Sequence, residues 1–94
     1  MFYVYILKSE RSAQFYKGFT SDPVSRLFEH NAGFSNHTKG KGPWIMVFLQ
    51  PFDSKRDALI EEIRIKRLNK SSIDRLIKSD VNMVNAFWGN HFVG

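Results

Sequence analysis

Ninety-four residues set the scale: one domain around one core is expected, with no room for a separate regulatory or cofactor domain. Hydrophobic side chains make up 43% of the chain, and the absence of cysteine excludes a disulfide framework, a cysteine-based zinc site and a thiol nucleophile. Fourteen Lys and Arg against nine Asp and Glu give a formal charge of +5, which favours a polyanionic partner without naming one.

The opening Met1-Phe2-Tyr3-Val4-Tyr5 carries no basic leader followed by a cleavable apolar run, and no stretch reaches the length of a membrane span. A cytoplasmic protein without a membrane partner is the expectation. Residues 2–7 are aromatic, β-branched or aliphatic and read as a strand, closed by the polar cluster Lys8-Ser9-Glu10-Arg11-Ser12. The short segment Phe15-Tyr16-Lys17-Gly18-Phe19 can pair back on it as an antiparallel hairpin, with Tyr3 and Tyr5 on one face. Gly18 leaves room on its strand for a neighbour or ligand to approach closely.

Ser21-Asp22-Pro23 predicts a helix start, because Asp or Ser can cap free amides and Pro fits the first turn. Val24, Leu27 and Phe28 supply its apolar stripe and Asn31-Ala32-Gly33 its end. Arg26 and His30, four apart, share a flank away from that stripe and are expected to meet solvent or a ligand. A basic, glycine-containing loop over residues 34–42 precedes Trp44-Ile45-Met46-Val47-Phe48-Leu49, predicted as the most buried strand. Ser54-Lys55-Arg56-Asp57 resembles a capping box and opens a second helix to about Asn69; Ser71-Ser72-Ile73-Asp74 opens a short third helix through Lys78.

On the second helix Glu62 falls inside the apolar stripe of Ala58, Leu59 and Ile65. A desolvated carboxylate there needs a positive partner, either a metal ion or Lys66 one turn on. The plainer of these is a helix pair worth roughly 0.2–0.5 kcal/mol. Glu61, about 100° round the helix, reads as solvated. Tyr5 and Tyr16 taken singly fit ordinary half-buried strand positions. Lys39 and Lys41 could meet phosphate, although Gly-Lys-Gly is not a P-loop. His37 and His91 have no companion at metal-ligand spacing.

Together these features resemble the GIY-YIG nuclease family, in its short standalone bacterial form. Tyr3-Val4-Tyr5 occupies the first motif and Tyr16-Lys17-Gly18 the second; Arg26-Leu27-Phe28-Glu29-His30-Asn31 is similar to the family's Arg-bearing helix, and Ala58, Glu62 and Lys66 to its metal-binding helix. Tyr3 and Lys17 replace the Gly and Ile that name the motifs, and Phe19 stands where several relatives carry Lys, a role that would fall to Lys17, Lys39 or Lys41. The resemblance implies an α+β domain over residues 1–79, with a three-stranded antiparallel sheet flanked by about three helices. Residues 80–94, with Phe87, Trp88 and Phe92, are expected to pack on the domain or on a partner.

The implied activity is metal-dependent endonucleolytic hydrolysis of phosphodiester bonds. Glu62 would hold one Mg²⁺ or Mn²⁺ ion, and Tyr5 or Tyr16 would be the general base once nearby positive charge lowers its pKa. Arg26 would grip a phosphate oxygen, and His30 would orient a tyrosine or contact the backbone. Lys17, Lys39, Lys41 and Lys66 would contact nucleic acid, DNA ahead of RNA, with the protein a monomer or weak homodimer. The alternatives are a non-catalytic nucleic-acid-binding module on the same fold and, ranked last, an RNA-recognition sheet begun by Lys17-Gly18-Phe19 but broken by Ser21-Asp22-Pro23.

Overall fold

A computed structural model describes residues 1–92, with side chains described through Gly89. In chain order its elements are β1 (Phe2–Ser9), β2 (Phe15–Thr20), α1 (Pro23–Asn31), β3 (Trp44–Phe52), α2 (Lys55–Lys66), α3 (Lys70–Ile77) and α4 (Val84–Phe92). The strands make one antiparallel sheet in the order β2-β1-β3. This is the α+β architecture expected, with four helices rather than about three, because α4 forms where the sequence suggests only a packing segment.

Side-chain caps set the helix boundaries. Asp22 accepts from the Ser25 amide with Pro23 in the first turn of α1, and Ser54 accepts from the Asp57 amide at 3.1 Å to open α2. Asn69, not Ser71, caps α3, accepting from the Ser72 amide at 2.8 Å. That cap explains why α2 ends at Lys66 rather than near Asn69: a residue with the extended backbone of a cap (φ −77°, ψ 171°) cannot also continue the preceding helix.

Strand alternation divides the core between the two faces of the sheet. Val4 and Ile6 face Phe48 with Ala58 and Ile65 of α2 and Ile73 of α3. Tyr5 and Leu7 face the other way, toward Trp44, Leu49, Leu27 of α1 and Val84 of α4, with Phe87 also packed there. The most buried strand is therefore β1, paired on both edges and covered on both faces, and not β3, whose Ile45 is exposed. A bulge lies between the pairs Ile6↔Phe48 and Leu7↔Met46. Its extra residue, Val47, flips the alternation, so that both Met46 and Leu49 reach the Tyr5 face.

The outer edge of β3 is blunted by side chains. Asn31 accepts from the Trp44 amide at 2.7 Å and donates to the Trp44 carbonyl at 3.1 Å. Asn82 accepts from the Leu49 amide at 3.1 Å and donates to the Val47 carbonyl at 2.9 Å, while the Met83 amide donates to the Leu49 carbonyl at 2.7 Å. Pro51 has no amide hydrogen to offer. Two asparagines and a proline thus occupy much of an edge that could template another strand. No helix among the described residues is long and apolar enough to cross a membrane.

Candidate active site

The site forms where Tyr5 crosses β2. Tyr5 pairs with Gly18 across the sheet, and a Cβ at Gly18 would lie 2.5 Å from the Tyr5 hydroxyl oxygen and 2.6 Å from Cζ. The neighbour that Gly18 admits is therefore this tyrosine ring. From α1, Arg26 Nε donates to the Tyr5 hydroxyl at 3.3 Å, and His30 Nε2 lies 2.8 Å from the same oxygen. The Tyr16 ring packs on His30, centroids 4.8 Å apart, and His37 stacks on Tyr16 at 6.4 Å.

α1 is rotated relative to the expected stripe. Pro23 and His30 are buried and Leu27 packs inward, whereas Phe28 is 67% exposed. His30, expected on an open flank, is only 2% exposed. The cause is the tyrosine cluster: the helix turns its i, i+4, i+7 line toward Tyr5 and Tyr16.

The expected lowering of the tyrosine pKa is not what the environment of Tyr5 produces. Burial pushes its hydroxyl up to about 12; the hydrogen bond and charge of Arg26 pull the other way but do not win, and Tyr16 and Glu62 add to the rise. His30 is pushed down to about 4, first by burial and then by the Arg26 charge, against a smaller opposing pull from Glu29. It is therefore a neutral imidazole near pH 7. Burial works against the Arg26 charge, yet the Tyr5 hydroxyl and the Glu29 carboxylate, the latter at 3.2 Å, leave its pKa raised.

Glu62 stands on α2, which packs on the sheet face opposite Tyr5, and its charge is the smallest of the influences on the Tyr5 hydroxyl. Its side chain is 15% exposed and its charged partner is Lys66, at 3.5 Å. Glu61 is not solvated as expected: it is 18% exposed and gripped by Arg64 through two bonds of 2.6 and 2.7 Å. Of two adjacent carboxylates, one is closed off by a guanidinium and the other is held loosely. Among the described residues no group of three or more His, Cys, Asp or Glu could hold a metal ion. A lone, loosely paired carboxylate still fits a hard cation that keeps most of its waters.

The lysines are dispersed. Lys17 pairs with Ile6 and shares a cavity of about 350 Å³ with Phe15, Lys70 and Ile73, on the sheet face opposite Tyr5 and Tyr16. Lys39 and Lys41 are exposed on the loop after α1. That loop is tied to the β1–β2 turn by Ser9 Oγ donating to the Lys41 carbonyl and Arg11 Nη2 to the Gly40 carbonyl, both at 2.7 Å.

The family model described as the GIY-YIG catalytic domain matches residues 1–75. The chain belongs to the GIY-YIG family. A UPF0213 protein of Halobacterium salinarum is 35% identical over 77 residues, covering 81% of this chain and 99% of its own. One from Clostridium perfringens is 38% identical over 80 residues, covering 84% and 85%. The solution structure of a UPF0213 protein from Bacillus halodurans aligns with a TM-score of 0.56 at 31% identity, over 86% of this chain and 87% of that one. GIY-YIG membership places the chain in a nuclease superfamily, whose members interact with nucleic acid and generally use divalent metal ions.

Two members of the GIY-YIG cluster escape the sequence reading. Thr38, 1% exposed, places its hydroxyl 2.7 Å from His30 Nδ1. His37, beside it, stacks on Tyr16. A threonine eight residues after a histidine in a polar loop carries no periodic signal; only the closure of that loop onto α1 brings the two together.

Proposed function

We propose that this GIY-YIG protein is a metal-dependent endonuclease hydrolysing nucleic-acid phosphodiester bonds, with DNA ahead of RNA as substrate. The observation that supports it most is the hydrogen-bonded sequence Arg26, Tyr5, His30, joined by a loosely paired carboxylate, Glu62, on α2. A donor for phosphate and a proton-handling pair lie on the α1 side of the sheet, and an anionic ligand stands on α2, whose charge acts on Tyr5. That combination is what hydrolysis of a phosphodiester requires.

Glu62 would hold Mg²⁺ or Mn²⁺ with water and phosphate oxygens completing the shell, and the ion would supply charge neutralisation at the leaving 3′ oxygen. Arg26 spends Nε on Tyr5 and Nη1 on Glu29, and offers its remaining N–H groups to a non-bridging phosphate oxygen. Tyr5, with a pKa near 12, is a neutral phenol at pH 7, so it takes a proton from the attacking water only as it passes its own to His30 Nε2. The hydroxide oxygen bonds to phosphorus as the P–O3′ bond breaks, the leaving 3′ oxygen takes a proton from solvent, and the protein is left with a phenol again at Tyr5 and an imidazolium at His30. The negative charge of a bound phosphate favours that imidazolium. Tyr5 is preferred to Tyr16 as the base because it is the one hydrogen-bonded to an acceptor. Tyr16, packed on His30, holds the imidazole in place.

Lys39 and Lys41, exposed on the loop after α1, would contact the flanking backbone, while Lys17 and Lys66, on the side of the sheet covered by α2 and α3, would meet a substrate that also passes that side. A monomer or weak homodimer is consistent with the blunted edge of β3. The test is incubation with labelled duplex, flap, junction and single-stranded substrates in Mg²⁺, Mn²⁺ or EDTA. Cleavage in either metal and none in EDTA is expected. Binding without cleavage under every condition would favour a non-catalytic binding module.

A further inference from the structure

His30 has two ring nitrogens and two hydroxyl partners, Tyr5 at 2.8 Å and Thr38 at 2.7 Å, and the direction of this short hydrogen-bonded line decides what His30 can do. Arginine can only donate, so the Tyr5 oxygen already accepts one hydrogen from Arg26 Nε at 3.3 Å. If His30 Nε2 also donated to it, the buried phenol would accept twice and its own hydrogen would have to leave the line. The opposite direction uses every group in order: Arg26 donates to Tyr5, Tyr5 donates to Nε2, and Nδ1–H donates to Thr38 Oγ1. A phenol beside a guanidinium is also a better donor than an aliphatic alcohol. The Thr38 hydroxyl hydrogen has somewhere to go, because Thr38 lines a cavity of about 320 Å³ together with His30, Asn31 and Arg11.

Thr38 is also held in place independently of His30. Its carbonyl accepts from Trp44 Nε1 at 3.2 Å and from the Lys41 amide at 3.1 Å, and its amide donates to the Ser35 carbonyl at 3.2 Å. The loop beyond it is closed by the Glu10 amide donating to the Pro43 carbonyl at 2.9 Å. The hydroxyl therefore meets the imidazole as a preset acceptor rather than one that follows the ring.

We propose that Thr38 is a positioning residue that fixes His30 in the Nδ1–H tautomer, so that Nε2 presents its lone pair to the Tyr5 hydroxyl proton. The proposal rests on the endonuclease reading for its consequence in catalysis, but the tautomer itself does not. When the proton passes, the Tyr5 O–H bond breaks, an N–H bond forms at Nε2, and the imidazolium keeps its Nδ1–H on Thr38; water then supplies the proton that restores the phenol. A hydrogen bond to one ring nitrogen sets which form the other takes; removing the orienting partner of a metal-bound histidine costs about 10–100-fold in activity, and the same scale is expected for this proton-handling one.

The experiment reads ¹⁵N shifts of His30 by NMR at pH 7 in the parent, Thr38→Val and Thr38→Ser proteins, with single-turnover cleavage alongside. The parent is expected to show Nδ1 protonated and Nε2 bare, Thr38→Ser to match it, and Thr38→Val to gain the Nε2–H form. Cleavage in Thr38→Val should fall about 10–100-fold in kcat with KM little changed, and Thr38→Ser should recover most of it. An Nε2–H imidazole in the parent overturns the proposal, even if Thr38→Val fails to fold. A Thr38→Val protein that folds and keeps the parent tautomer overturns it as well. If the parent cleaves nothing, the endonuclease reading fails while the tautomer measurement still decides the role of Thr38.

Discussion

Replacing Gly18 with alanine tests the placement of Tyr5 on which the site depends. The new Cβ would meet the Tyr5 hydroxyl oxygen at 2.5 Å, Cζ at 2.6 Å and Cε1 at 2.9 Å, whereas ordinary contact begins near 3.4 Å. Relief needs a displacement of about 1 Å, in a ring that is only 1% exposed and packed among Leu7, Leu49 and Tyr16. Such a shift would stretch the 2.8 Å bond to His30 past hydrogen-bonding range. Overpacking costs about 1–3 kcal/mol and a buried hydrogen bond lost adds about 1 kcal/mol, so the variant should lose roughly 2–4 kcal/mol. Urea unfolding reads this as a lower midpoint at an unchanged slope. Cleavage should fall about 100-fold, the usual consequence of misplacing a reacting group by 1 Å. Gly89→Ala is the control: nothing lies within 4 Å of its added Cβ, and in α4 the change should be neutral or stabilising by up to about 1 kcal/mol. If Gly18→Ala unfolds at the parent midpoint and cleaves at the parent rate, Tyr5 does not lie over Gly18.

Three other perturbations separate the parts of this picture. Glu62→Gln should keep the fold and cut metal-dependent cleavage by about two orders of magnitude or more, whereas Glu61→Gln, which opens a partly exposed pair with Arg64, should shift stability by no more than about 1 kcal/mol; parent-rate cleavage in the first would remove Glu62 from the site. His30 has a folded pKa near 4 against an ordinary 6.5, so below 6.5 the unfolded chain binds the extra proton. Stability should then be full above pH 6.5 and fall toward pH 4 by up to about 3 kcal/mol; a melting series in which His30→Gln falls as steeply as the parent would refute this. Truncation after Lys78 removes Val84, Phe87 and the Asn82 cap on β3, and should cost about 3 kcal/mol, or on the order of 10–20 °C in Tm. An unchanged melting temperature would show that the segment contributes nothing; the Phe92 and His91 side chains lie outside the described residues.

The strands and the starts of α1 and α2 were legible because short-range chemistry decides them. Asp22-Pro23 and Ser54 carry their capping roles in the residue type itself. The core strand was misjudged for the opposite reason: the run from Trp44 to Leu49 is as apolar as that from Phe2 to Leu7, and only pairing order puts one at the edge and the other in the centre. The bulge at Val47 has no local signal either, since its evidence is the facing of residues on both sides of it. α4 escaped because its apolar residues, Val84, Ala86, Phe87 and Trp88, are interrupted by Asn85 and Gly89, and what holds the described part of it is the Tyr5 face of the sheet.

In the site, the sequence located the polar side chains better than it predicted their states. Burial raises Tyr5 and lowers His30, and burial is a property of how α1 and the loop after it close over the sheet, not of spacing along the chain. Glu61 and Glu62 make the same point most sharply. Helix phase alone assigned one to water and the other to the stripe, yet their exposures, 18% and 15%, are nearly the same. What separates them is the neighbour each can reach. Arg64, three residues on, closes both oxygens of Glu61 in a fork; Lys66, four residues on, touches Glu62 at 3.5 Å with a single ammonium group. A carboxylate in a guanidinium fork has one lone pair on each oxygen committed and a cation fixed in front of it, whereas one paired to a single ammonium at 3.5 Å leaves its other oxygen open to a ligand. Arg64 thus distinguishes two chemically identical side chains, and the proposed ligand role falls to Glu62, the one without a guanidinium fork.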